Sequence, residues 1–258
     1  MSTLEDPFRA SRLATAVATV ACNLFLVLGS LVLSTLGLLV GWLPPRTVWT
    51  YTLVRLWARG VLSSGAVRVE AHYDPAIDPA ASYVFLANHQ SLFDIPAVMV
   101  TAPGQVRLVA KRSLFKIPIF GWSMAAGGFI PVDREDRSSA RETFASAVGK
   151  LRRGTSILLF PEGTRGQGDR LLPFQRGGLL LALKSGLPIV PVGIHGTRAI
   201  RATGSLAIHP GTAVVRYGPP IDAAGFGLKR KGALAAEVRR RVAELAGMEA
   251  EDAAVAGA

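Results

Sequence analysis

The sequence predicts an α/β fold, a sheet covered by helices, with an apolar helical element at its N-terminus. Three observations carry this. From residue 67 onward, short runs rich in Val, Ile, Leu and aromatics alternate with helical patterns. Ahead of them, Leu13 to Leu43 runs 31 residues without a charge. Half of the 258 residues are apolar and only 18% are charged, below the usual quarter. This composition excludes intrinsic disorder. The length gives one or two domains with a core large enough to need no staples. The single cysteine, Cys22, excludes a disulfide framework within the chain and a multi-cysteine zinc site. The net charge of +11 favours a membrane surface as partner.

Nine residues of the charge-free run are Gly, Ser, Thr or Asn and the rest are apolar. One helix of this length would extend about 46 Å against a hydrocarbon core of about 30 Å. Two arrangements fit: one tilted span with an extension, or two shorter helices that break near Gly29-Ser30 or Gly37 and dip into one leaflet. A cleaved signal peptide fits less well, because the stretch exceeds an h-region. Arg9 and Arg12 precede the run. Trp42, Trp49 and Trp57 follow it with Arg46, Arg55 and Arg59, a mixture suited to the headgroup layer.

The strands expected next are Val67–Ala71, Tyr83–Ala87, Arg107–Ala110, Ser156–Phe160, Ile189–Ile194 and Ala213–Tyr217. The helices expected between them are Ile95–Val100, Ser138–Arg152 and Gly177–Ser185. Leu228–Met248 reads as a basic amphipathic helix and Glu249–Ala258 as a frayed tail.

The chemistry is sought at strand ends, because ligands of α/β sheets collect outside the carboxyl ends of strands. The four histidines have no metal-ligand spacing, and neither a Gly-x-Ser-x-Gly elbow nor a Walker A sequence is present. Asn88-His89-Gln90-Ser91-Leu92-Phe93-Asp94 directly follows the strand Tyr83–Ala87. His89 and Asp94 would lie about 140° apart on a continuous helix. They meet if a helix starts near Asp94, with Pro96 in its first turn and His89 in the preceding loop. The carboxylate then holds one imidazole nitrogen and orients the other. Phe160-Pro161-Glu162-Gly163-Thr164-Arg165 follows the next apolar strand. Gly163 allows close backbone approach, Arg165 offers a donor fork for phosphate, and Glu162 could position that arginine or contact a hydroxyl. Lys111-Arg112 ends a third strand. Beyond it, Ile117-Pro118-Ile119-Phe120-Gly121-Trp122 and the stretch Gly127 to Arg134 could line a lipid groove. Pro191, inside the strand pattern Ile189–Ile194, predicts an edge strand or pocket lip. Each block alone also has an ordinary structural explanation: a helix cap, a surface ion pair, a solvated basic pair.

Taken in order, the blocks Asn88-His89-x4-Asp94, Lys111 to Arg134, Phe160 to Arg165 and Ile189-Val190-Pro191-Val192 resemble the glycerolipid acyltransferase family, over roughly Tyr83 to Ile194. The resemblance implies a mixed sheet flanked by helices and a membrane-embedded two-helix element at the N-terminus. It divides the chain into a membrane-associated region, 1–62, and a catalytic domain, 63–258. It makes His89 the base for a glycerol hydroxyl and Asp94 its orienting acid. Lys111 and Arg165 then bind the phosphate of a lysolipid, with Glu162, Gly163 and Thr164 shaping that site. No cofactor is implied, and acyl-CoA or acyl carrier protein is the thioester donor. The reaction implied is acylation of lysophosphatidic acid to phosphatidic acid in phospholipid biosynthesis, at the cytoplasmic membrane with the catalytic domain facing the cytosol. One departure stands out. Family members often have Phe-Lys-x-Gly where this chain has Phe174-Gln175-Arg176-Gly177, so Arg176 supplies the charge or the acceptor differs. The alternatives are another acceptor (a lyso-ornithine lipid, a larger lysophospholipid or glycerol 3-phosphate) or a non-catalytic membrane-binding protein. A nucleic-acid binder is disfavoured, since the basic residues form no recognisable module.

Overall fold

The structure is a computed structural model and describes residues 11–41, 46–133, 155–175, 183, 185–223, 225–226 and 230–249. The expected helix over 138–152, most of that over 177–185, Trp42, Arg134 and the tail beyond Glu249 lie outside the described residues.

The sheet has seven strands in the order β1-β7-β6-β2-β5-β3-β4. They are β1 (Val67–Tyr73), β2 (Val84–Ala87), β3 (Gln105–Lys111), β4 (Ile130–Val132), β5 (Thr155–Leu159), β6 (Ile189–His195) and β7 (Gly211–Tyr217). Pairing is parallel except between β6 and β7, so the sheet is mixed. The central strands β2 and β5 are buried at every position, as continuous apolar runs covered on both faces must be. Edge strand β1 alternates toward solvent.

Two strands depart from expectation. β4 has three residues and contains Pro131, too little pattern to stand out in sequence. Pro191 lies in β6, an interior strand rather than an edge. The β6–β7 register begins at Val192↔Tyr217, and Gly218 N–H donates to the Pro191 carbonyl at 2.9 Å. The missing proline donor therefore falls at the end of that ladder, where it costs least.

The N-terminal run does not break at Gly29 or Gly37. It is one helical segment, Arg12–Val40, long and apolar enough to cross a membrane by length and composition. Its parts are α1 (Arg12–Leu24), a π-helical turn (Phe25–Gly29) and α2 (Ser30–Val40). The second helix of the pair is α3 (Arg46–Ser64). Phe25 packs on Gly60 of α3, where a Cβ would lie only 2.0 Å from the ring. The Trp57 indole N–H donates to Ser30 at 2.9 Å, which ties α3 to α2. Tyr51, Ala58, Val61 and Leu62 of α3 share one buried core with β2 and with α4 (Asp94–Thr101). Two short helices follow, α5 (Phe120–Ala126) and α6 (Thr197–Ile200). The C-terminal helix α7 (Lys231–Ala246) buries Leu234, Val238 and Val242 against the other sheet face.

Because β2, β3, β5 and β6 run parallel to their mutual neighbours, the segments after all four emerge at one sheet edge. Those segments carry His89, Lys111, Phe160 to Arg165, and Thr197.

Candidate active site

The site is assembled from loops pinned to strand ends. Asn88 is fully buried just past β2. Its carboxamide donates to the Ile194 carbonyl at 2.8 Å and accepts from the Ile194 N–H at 2.7 Å. This pair extends the β2–β6 ladder through a side chain and fixes where the next residue, His89, begins.

Asp94 opens α4 and is fully buried. Its Oδ2 lies 2.7 Å from His89 Nδ1 and accepts from the backbone N–H groups of Gln90 at 2.7 Å and Ser91 at 2.8 Å. Its Oδ1 accepts from the Thr197 hydroxyl at 2.5 Å. The turn between residues 89 and 94 therefore closes on the carboxylate, which a continuous helix would not allow. Backbone N–H groups can only donate, so Oδ2 is an acceptor and His89 Nδ1 must carry the proton. The other ring nitrogen, Nε2, is then the lone-pair side of the imidazole.

The segment after β5 holds His89 by its backbone and its ring. Glu162 is 3% exposed. Its Oε1 accepts from His89 N–H at 2.6 Å and its Oε2 from Leu172 N–H at 3.0 Å. Gly166 N–H donates to the His89 carbonyl at 2.8 Å. The imidazole stacks on Phe160 with ring centroids 4.1 Å apart. Glu162 thus sits apart from the exposed residues it was grouped with: both oxygens are taken by backbone donors, and Arg165 is not among its partners. Arg165 is half-buried, and Lys111 and Thr164 are exposed. Among the described residues, Arg165 and Lys111 have no hydrogen-bond or ion-pair partner, so their charges stay available at the same sheet edge. Gly163 has φ +71°, and a Cβ there would lie 2.6 Å from Gln175 Nε2. Gln175 N–H also donates to the Pro161 carbonyl at 2.8 Å, so Gln175 closes the Phe160–Arg165 turn. Arg176 lies outside the described residues. Among the described residues there is no group of three His, Cys, Asp or Glu placed to hold a metal ion.

Thr197, the donors on Gln90 and Ser91, and the Phe160 stack were not foreseen. Thr197 had a usable signal: it is a polar residue directly past an apolar strand, at Gly196 with φ +85°. That criterion had singled out His89.

Desolvation pushes the Glu162 carboxyl up to about 7, and the two backbone donors only partly offset this. Between about pH 4.5 and 7 the folded state therefore holds a proton that the unfolded chain has lost. Stability should fall as pH rises through that window, by about 3 kcal/mol in all, and level off above it. Glu162→Gln should flatten this slope. It should also lower stability by about 1–3 kcal/mol, since an amide accepts one of the two N–H groups and opposes the other. Urea titrations of both proteins at pH 5 and 8 check this.

A buried carboxylate that orients a loop histidine, with unpaired cations at the same edge of a mixed sheet, is an arrangement able to supply a general base beside an anion. Comparison with known proteins agrees. Residues 68–195 match the family model described as Acyltransferase. The 1-acyl-sn-glycerol-3-phosphate acyltransferase of Escherichia coli (strain K12) is 35% identical over 188 residues, covering 69% of this chain and 74% of that protein. A chloroplastic 1-acyl-sn-glycerol-3-phosphate acyltransferase of Brassica napus is 36% identical over 125 residues, covering 48% of this chain and 36% of its own length. That of Arabidopsis thaliana is 32% identical over 180 residues, with 68% and 50% covered. The chain therefore spans half or less of these two relatives. The crystal structure of the 1-acyl-sn-glycerophosphate acyltransferase PlsC from Thermotoga maritima has the same fold, with TM-score 0.78 over 91% of this chain and 95% of that one, at 22% identity. The chain belongs to the glycerolipid acyltransferase family.

Proposed function

We propose that this protein transfers an acyl group from an acyl thioester to the free sn-2 hydroxyl of lysophosphatidic acid, giving phosphatidic acid. The observation that carries the reading is the His89–Asp94 contact of 2.7 Å, with the acid held by three further donors. His89 Nε2 takes the hydroxyl proton as the oxygen attacks the thioester carbonyl. The new C–O bond forms, the C–S bond breaks, and the departing thiolate recovers the proton from the imidazolium. Asp94 is the counter-charge to that imidazolium. Lys111 and Arg165 bind the acceptor phosphate, with Thr164 and the Gly163 backbone beside them. Glu162 supports the site by holding His89 in place. The relatives' names support the acceptor, since each is named for 1-acyl-sn-glycerol-3-phosphate.

A second reading keeps the chemistry and changes the acceptor headgroup. Gln175 favours it, because its carboxamide lies against the Gly163 turn at the position where a lysine is common in the family. Acyl transfer in lipid micelles separates the two, with lysophosphatidic acid competing against glycerol 3-phosphate and lysolipids of larger headgroup. Preferred turnover of lysophosphatidic acid supports the first reading, and turnover only on another acceptor the second. No turnover with any acceptor and either donor would leave a non-catalytic lipid-binding protein. On the first reading, Arg165→Ala should raise KM for lysophosphatidic acid about 10- to 100-fold, the worth of a lost charge-assisted phosphate contact, with kcat changed far less.

The donor is an acyl-CoA or an acyl carrier protein; both are acidic, and the net charge of +11 suits either. The division at residue 62 is one of labour: helices that meet lipid before it, a sheet that carries the chemistry after it. We place the protein at the cytoplasmic membrane as a monotopic enzyme. The packing of Arg12–Val40 supports this, because catalytic-domain groups touch it near both ends. Thr19 bonds the Ile208 backbone, Asn23 donates to the Leu206 carbonyl, and Gly41 meets Ala126 of α5. Tethers at both ends favour a segment that lies along one leaflet beside the domain. Arg12 and the arginines of α3 then share one side, the cytosolic one by the positive-inside rule.

A further inference from the structure

We infer that residues 112–126, between β3 and the end of α5, form a second lipid-contacting element that enters an anionic phospholipid surface beside α1 and α2. This rests on the monotopic reading above and adds to it a surface within the catalytic domain. Three observations carry it.

The first is exposure. Leu114, Ile117 and Trp122 are 38%, 45% and 57% exposed, three large apolar side chains within nine residues, whereas the other large exposed ones of the sheet domain, Tyr73, Leu92 and Leu206, are scattered singly along the chain. Apolar groups exposed and clustered in this way mark an interaction surface. The second is backbone strain. Ile119 has φ 65° and ψ −61°, with Phe120 N–H donating to the Pro118 carbonyl at 2.6 Å. This is the strained form of γ-turn, and a β-branched residue is a poor occupant of it. The turn is locked from the other side by Gly121, where a Cβ would lie 2.4 Å from the Phe115 carbonyl. Such strain persists where the surroundings over-determine it and clusters at functional positions. Here it folds the 3-10 turn Arg112–Lys116 back against α5, so that Ile117 and Trp122 stand out while Phe115 and Met124 pack inward.

The third observation identifies the partner. Lys111 precedes the apolar residues and Lys116 lies between Leu114 and Ile117, both exposed and without an ion-pair partner among the described residues. Arg112 pairs with Asp133 at 3.9 Å, and both stay about 40% exposed. Tryptophan, aliphatic side chains and lysines together match the boundary between headgroup phosphates and acyl chains. The element is also continuous with the lipid-facing helix: a Cβ added at Gly37 of α2 or at Gly41, which caps it, would lie 3.8 or 3.7 Å from the side chain of Ser123 or Ala126 of α5. An anionic bilayer is the occupant that answers both the charge and the apolar face. Insertion here would bring Lys111, at the head of the same segment, to the level of the lipid phosphates.

The test uses the full chain. Cys22 is fully buried, so Ile117→Cys offers one accessible thiol for an environment-sensitive fluorophore. Val27→Cys on the exposed face of the N-terminal segment and Glu70→Cys on β1 serve as companion sites. Vesicles of phosphatidylglycerol or phosphatidylcholine are added, with a lipid-borne quencher or aqueous iodide. The expected result is lipid quenching and iodide protection at positions 117 and 27, and neither at 70. Protection at 27 with iodide access at 117 would overturn the second element and leave the monotopic reading intact. Iodide access at both would overturn both. Lys116→Gln should weaken binding to phosphatidylglycerol vesicles about fivefold and leave phosphatidylcholine binding unchanged, as one interfacial lysine is worth about that factor. Trp122→Ser should weaken binding to both. Equal binding by wild type and both variants would overturn the inference.

Discussion

His89→Ala is expected to lower kcat for acyl transfer by about 10²–10⁴-fold, the range that a positioned general base contributes. The protein should stay folded. The ring makes two contacts that the substitution removes, the Asp94 hydrogen bond and the stack on Phe160, and it contributes to no core cluster. Asp94 keeps three of its four donors, from Gln90, Ser91 and Thr197. The backbone contacts from Glu162 and Gly166 survive, because they engage main-chain atoms of residue 89. Turnover of lysophosphatidic acid in mixed micelles, with a thermal melt alongside, checks both halves. Near-normal turnover by the variant would end the general-base mechanism. Loss of turnover with a collapsed melting temperature would mean that the ring is structural.

How far the site was legible in sequence depended on the reach of each contact. His89 and Asp94 stood out because they are five residues apart and follow an apolar strand, and Pro96 revealed where the helix begins. The partners that complete the site come from far along the chain. Thr197 lies 103 residues from Asp94, and Glu162 lies 73 from His89. No local pattern encodes such pairings. They follow from the strand order, which sets β2 between β5 and β6 and so brings three loops together. Glu162 illustrates the consequence. As part of a Glu-Gly-Thr-Arg string it looked like a ligand contact, whereas in the fold its two oxygens are both spent on backbone donors.

The fold was legible where burial is uniform and obscure where it is shared. β2, β5 and β6 are buried at every position but His195 and were read within a residue or so of their observed bounds. The helix α3 was not read as one. Its arginines broke the apolar pattern that had marked the preceding run, and the run itself was expected to supply both helices of the membrane element. Arg55 explains why α3 is nevertheless a packed helix: it donates to the Val100 carbonyl at 2.9 Å, at the end of α4, while Ala58, Val61 and Leu62 enter the core. Charge in a sequence reads as exposure until a carbonyl at a helix end receives it.

Substitutions at Asp94 should separate charge from architecture, and the second large effect is expected there. Asp94→Ala leaves the N–H groups of Gln90 and Ser91, the Thr197 hydroxyl and His89 Nδ1 without their acceptor, all around a fully buried position. Each such buried loss costs about 1–3 kcal/mol, and with two backbone donors among them the total should reach several kcal/mol, a large share of a typical domain's stability. Asp94→Asn behaves differently. In a catalytic triad the isosteric amide traps the histidine in the wrong tautomer. Here the backbone donors on Gln90 and Ser91 select the amide oxygen for the Oδ2 position, and the amide N–H can donate to Thr197, whose hydroxyl accepts as readily as it donates. The tautomer should therefore be kept and the fold retained, and only the negative charge opposite the imidazolium is lost. Turnover should fall about 10²-fold, less than for His89→Ala, with a melting temperature close to wild type. A fall as deep as that of His89→Ala would mean that the amide has flipped and that the backbone donors do not control it. Full activity would remove Asp94 from the mechanism and leave it as the knot that ties three loops together.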